Sequence, residues 1–233
     1  MRAVGIALLF VGVLVIGLIG AYLAHLAEQK HRAVMQALAD ELGLHYQPEP
    51  DADHDDEYAQ FEIFRRGHSR VAMHTLSGTV ELFDRPCAIR AGDFRYKVTS
   101  SNGKTSSTRT YYFSYLIVHP PWPSPTLLVR REGMFDKMKA AFGFDDIDFE
   151  SAEFSKRYYV TSSDKRFAYD VLHPRMIEFL LATEPLTLDL EGGALCVSDG
   201  ARRWRPEDYR SQLAFVRDFC SHWPRHLLQD LEQ

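Results

Sequence analysis

The sequence is poor in cysteine: of 233 residues, only Cys87, Cys196 and Cys220 carry a thiol. None stands in a CxxC pair, and no Cys/His spacing fits a zinc site, so no metal is expected. An odd, sparse set is also a poor disulfide framework. The three read as small buried apolar residues, with a weak lean towards a reducing compartment. Positive charge is short as well, with 27 lysines and arginines against 32 acids and a net charge of −5. That balance argues against nucleic acid as a partner, because phosphate binding needs a basic face. GxSxG and HExxH are absent too, so no catalytic residue can be assigned. No repeat is long enough for a solenoid.

Fragments of other motifs fail on context. "GKT" at Gly103–Thr105 would need a glycine where Val98 stands, between a buried strand and a helix; it lies in a polar hairpin, so no phosphate cofactor is expected. His68 and His74 are six apart, about 20 Å along a strand at ~3.3 Å per residue, too far to share one metal. "HDDE", His54 to Glu57, lacks the ordered spacing of a calcium loop, and a solvated linker is the favoured reading.

Residues 3–27, in contrast, hold no charge at all. As a helix, about 22 residues span roughly 33 Å, enough for a ~30 Å hydrocarbon slab. The run is too long for a signal peptide, and the cleavage points after Ala24 and Ala27 fail, with Tyr22 and His25 at the −3 position. The sequence therefore predicts a transmembrane anchor over 1–27, a single-pass protein of the cell membrane. Arg2 and the α-amine balance Lys30 and Arg32, so charge does not set the orientation, and the free thiols tip the globular part to the cytoplasmic side.

A juxtamembrane helix and an acidic linker are expected over 28–60. Val34, Met35, Leu38 and Leu42 recur at helical spacing, Gly43 supplies a stop, and 45–60 is polar with two prolines. From 61 to 118 the period changes to that of strands, with a polar hairpin tip at Asn102-Gly103. Four prolines follow within 119–125, then short strands and helices. Pro174 and Pro206 open two of the helices, and a hairpin turns around Gly192-Gly193. The class predicted for 61–233 is α+β, an antiparallel-sheet-rich domain with C-terminal helices.

Two stretches attract a functional reading. "DIDFESAEFSKRYYV", 146–160, sets Asp146 and Asp148 beside Ser155, and with His119 these are the candidates for a dispersed hydrolase site. At period two it reads instead as a turn at "ESAE" and a strand with mixed faces. "RRWR", Arg202, Arg203, Trp204 and Arg205, offers three guanidiniums and an indole to anionic lipid head groups or to a protein partner. The structural reading puts Trp204 on the core and the arginines around its rim.

"DIDFESAEFSKRYYV", followed by "LHPRMIEFL" at 172–180, resembles a pattern of mostly bacterial single-pass membrane proteins, in which "DIDF" precedes "FSxRY" and a short "P…FL" helix. "GDFRY" at 92–96 is similar to that family's aspartate-aromatic strand before a polar hairpin. The resemblance spans most of residues 75–183; the "HPPWPSP" and "ELFDRPCAIRAG" segments depart from it. The family has no assigned activity, so the resemblance implies no site residue. The function expected is a non-enzymatic binding or interaction module with an unknown protein partner, the alternatives being an anchored hydrolase and an anionic-lipid-binding domain.

Overall fold

The computed structural model describes residues 2–132, 147–183 and 186–232; within the first helix, side chains are described for Gly12 and from Leu14 onward. The chain divides into two compact units, Met1–Gly43 and Leu44–Gln233. The first is a single helix, α1 (Arg2–Leu42). It stops at Gly43, whose φ of +68° lies in the left-handed region that side chains resist.

The transmembrane expectation is corrected here. No helix among the described residues is long and apolar enough to cross a membrane. α1 runs on without a break past Ala27, through Glu28, Lys30 and Arg32. The single-pass and cell-membrane assignments fall with that finding, as do the membrane partner and the cytoplasmic orientation built on them. The α+β class stands.

The second unit carries an eight-stranded sheet in the order β1-β2-β3-β4-β8-β7-β5-β6. Its strands are β1 (His45–Gln47), β2 (His68–Leu82), β3 (Arg85–Ser101), β4 (Ser106–His119), β5 (Leu127–Arg131), β6 (Tyr158–Ser162), β7 (Thr187–Glu191) and β8 (Ala194–Ser198). Every pairing is antiparallel. The helices are α2 (His54–Glu57), α3 (Ala152–Arg157), α4 (Lys165–Val171), α5 (Pro174–Ala182), α6 (Pro206–Ser221) and α7 (Arg225–Leu231). Pro174 and Pro206 stand at the first turns of α5 and α6, where no N–H is needed.

Long strands β2, β3 and β4 form a meander. Phe83 and Asp84, with φ of +55° and +58°, make the two-residue turn between β2 and β3. Beyond it Gly92 faces Tyr115, where a Cβ would come within 3.1 Å of the Met73 carbonyl oxygen and 3.2 Å of the Tyr115 hydroxyl. A side chain there would push β2 or the Tyr115 ring aside by a few tenths of an ångström.

The stretch at 146–160 differs from its period-two reading. Asp146 lies outside the described residues. Residues 152–157 are helix α3, whose first turn Ser151 caps by accepting from the Phe154 N–H at 3.3 Å, and only from Tyr158 does the chain become strand β6. A serine cap and a buried Phe154 outweigh the alternation.

Residues 45–60, expected as a linker, hold β1 and α2 and belong to the second unit. His54 is fully enclosed, with ring centroids of Tyr58, Phe64 and Tyr115 each 4.7 Å away. Phe94 and Phe113 complete this aromatic core. Neither His54 nitrogen has a hydrogen-bond partner. Burial, then the Arg90 charge, pushes its pKa down to about 3. Because the folded pKa lies below the unfolded value, stability is fully present above pH ~6.5 and is lost as the pH falls from there towards 3, by up to ~1.4 kcal/mol per pH unit. Urea unfolding at pH 7 and pH 4.5 therefore shows an acid loss that His54→Phe reduces by about 2–3 kcal/mol; an equal loss in both proteins means that His54 is not the titrating group.

Candidate functional site

Asp93, on β3, has a side chain only 1% exposed. Its carboxylate accepts from the Ser114 hydroxyl on β4 at 2.5 Å, from the Tyr209 hydroxyl on α6 at 3.0 Å, and from the Arg203 Nε at 2.7 Å. The Arg203 terminal nitrogen makes a second bond to the same oxygen. Ser114 Oγ in turn accepts from the Trp204 N–H at 2.8 Å. A buried carboxylate is tolerable only with such donors around it, so the node ties β3, β4, α6 and the 199–205 segment into one unit.

The "RRWR" side chains therefore have distinct places. Trp204 is buried, its ring edge-on to Tyr209 at 5.3 Å. Arg203 is bound to Asp93 and lies over the Tyr112 ring at 5.6 Å. Arg202 is half exposed and pairs with Asp208 at 2.7 Å, a contact that first among its causes holds the Asp208 pKa down to about 2. Arg205 is the most exposed, with a side chain 76% accessible.

This segment also marks where the sheet loses a strand. β4 pairs with β8 only over Leu116–Val118. One step further, the Ser114 N–H donates to the Arg202 carbonyl at 3.0 Å, and the Ser114 carbonyl accepts from the Ser198 hydroxyl at 2.7 Å. From Tyr112 back to Ser106 no strand among the described residues flanks β4 on that side. Here β3 and β4 run on together as a two-stranded arm, since β2 ends opposite Lys97. Ser101 to Tyr112 are all exposed.

The arm is ordered by side chains on both faces. On one, Phe94, Phe113, Tyr96 and Tyr111 carry the aromatic core outwards, Tyr96 stacking on Tyr111 at 5.3 Å. On the other, the Thr99 and Thr108 hydroxyls bond at 2.9 Å, and His68 Nε2 meets Thr99 at 2.9 Å. At the tip, Asn102 Oδ1 accepts from the amides of Lys104 and Thr105 at 3.1 and 2.9 Å. Those amides serve the turn, not a phosphate. Between Phe94 and Ser114 the sequence has Arg95, Lys97, Lys104 and Arg109 and no carboxylate save Asp93 just before it. In a chain of net charge −5, the arm carries charge of positive sign alone.

The dispersed-hydrolase residues lie elsewhere. His119 Nε2 meets the Tyr58 hydroxyl at 3.2 Å at the end of β4. Ser155 on α3 is engaged with the Phe149 backbone, accepting from its N–H at 3.1 Å, and Asp148 is exposed. No hydrogen bond joins these three, and Asp146 lies outside the described residues. Glu57 of "HDDE" pairs with Arg90 at 2.5 Å, and Arg90 also binds Asp51 at 2.8 Å. Sequence reading missed Asp189, on β7, whose pKa burial raises to about 8, with Glu191 adding to the effect. It lines, with Arg66, Arg130 and Ser198, a cavity of about 20 Å³, room for one water.

No family model matches the chain, and no curated protein does. A solved structure does. The crystal structure of the mycobacterial trehalose monomycolate transport factor A, TtfA, superposes with a TM-score of 0.59 at 12% identity, over 82% of this chain and 93% of that one. At that identity the likeness is one of fold.

The node sets an order among the arginines. Arg203→Ala strands the Asp93 carboxylate and lowers unfolding free energy by about 2–3 kcal/mol, less than the ~3–5 of a fully buried pair because Arg203 is 37% exposed. Arg205→Ala stays within ~0.5 kcal/mol. Equal losses in chemical denaturation would remove the node's structural role.

Proposed function

We propose that this chain is a non-enzymatic interaction module, an accessory protein that works by holding a polypeptide partner on the β3–β4 arm. The observation that carries the reading is the arm itself: Ser101 to Tyr112 are all exposed, with Tyr111 and Tyr112 41% and 39% accessible and basic residues in the same arm. Tyrosine and arginine are the residue types that dominate binding energy at protein interfaces. Two aromatic side chains about 40% exposed on an ordered hairpin leave much of their apolar surface in solvent. The likeness in fold to a transport factor supports an accessory role in transport as the process it serves. Arg202 and Arg203, which border β4 at Ser114 and Tyr112, extend the same surface.

A photo-crosslinking amino acid at Tyr111 of the full chain tests this in native cells, with the same group at Tyr169, an exposed tyrosine on α4, as control. A protein adduct forms from position 111 and not from 169, and Tyr112→Ala depletes it several-fold without lowering the melting temperature. Identical adducts from both positions, or none from 111, overturn the reading.

A further inference from the structure

The arm offers more than side chains. In an antiparallel ladder, successive N–H groups of one strand point alternately to its two sides. On β4 the Ser114 N–H points away from β3, since it reaches the Arg202 carbonyl. By that alternation the N–H groups of Tyr112, Thr110, Thr108 and Ser106 also point away from β3, while those of residues 113, 111, 109 and 107 bond across to it. No strand among the described residues takes up that outward row. It is about seven residues, or ~24 Å, an ordinary strand length.

We infer that this edge of β4 receives an extended, acidic segment of a partner protein as an added strand beside Ser106–Tyr112; the inference rests on the interaction reading above and names the partner's chemistry. Three observations choose this occupant. An open row of backbone donors and acceptors is complementary to another backbone in extended form, which neither a lipid nor a folded helix supplies. Arg109 lies on the open strand itself, Lys104 at its tip, and Arg95 and Lys97 on the paired strand opposite Tyr112 and Thr110, so an incoming strand gains from carboxylates and is opposed by cations. The same charges oppose a second copy of the arm, so edge-to-edge self-pairing is disfavoured. The Ser114 lock fixes where pairing begins: both outward backbone groups of Ser114 are already bonded, to Arg202 and Ser198, leaving Tyr112 as the first open position.

The probe is a fluorescent octapeptide of alternating glutamate and valine, with a lysine–valine octapeptide and an N-methylated glutamate–valine octapeptide as controls. Anisotropy with the full chain shows saturable binding of the first, at least ten-fold tighter than either control. Thr110→Pro weakens it at least ten-fold while the melting temperature holds, because that N–H points away from β3 and its loss leaves the hairpin ladder intact. If Thr110→Pro disturbs folding, the N-methylated peptide decides alone, since it blocks pairing from the ligand's side. Equal binding of the N-methylated peptide, equal binding of the lysine peptide, or no binding of the glutamate peptide overturns strand addition. Should that occur while the Tyr111 crosslink persists, the arm remains an interaction surface and only its mode of binding is refuted.

Discussion

Asp93 is the constraint on which the rest of this sheet depends. A carboxylate so deeply enclosed on β3 demands donors, and Ser114, Tyr209 and Arg203 supply them from three different elements. Satisfying it drags the 199–205 segment against β4, seats Trp204, and orients the start of α6. It also ends the β4–β8 pairing, because the backbone of Arg202 occupies the place where β8 would have continued. A single buried charge thus fixes both where the sheet is closed and where it is open.

The open part follows from strand length. β3 and β4 continue well past the end of β2, and nothing in the sheet's geometry requires that excess. Two-stranded ribbons are marginal by themselves. This one is stiffened by the Tyr96–Tyr111 stack and the Thr99–Thr108 pair, both made within the arm, so its shape does not depend on a partner. Preorganisation of that kind lowers the entropy lost on binding. Native sheets commonly blunt long edges with cations, and the same cations leave the edge open to strands of opposite sign.

The sequence made much of this legible. The strand period from 68 to 118, the Asn102-Gly103 tip, the Gly43 stop and the two helix-opening prolines rest on local rules that survive folding, whereas Glu62–Arg65, expected as strand, is a 3-10 turn. What was hidden depended on contacts distant in sequence. Asp93 and Arg203 are 110 residues apart, so "RRWR" could be read as a basic cluster but not as three side chains with different tasks. His54 sat in an acidic run that reads as solvated; its enclosure comes from Phe64, Phe94 and Tyr115, which periodicity cannot bring to it. The uncharged composition of 3–27 predicted an anchor, whereas no helix among the described residues is long and apolar enough to cross a membrane.

The buried titratable groups bear on what kind of work the domain does. His54 and Asp189 are both shifted towards their neutral forms, and in each case burial is the first cause. A group tuned for acid–base chemistry needs access to a reacting proton as well as a shifted pKa. His54 is enclosed by aromatic rings on the inner face of the sheet, and Asp189 faces a cavity that holds about one water. Their perturbation is a cost of packing polar groups into the core. The arm, in contrast, is exposed and ordered and carries charge of one sign.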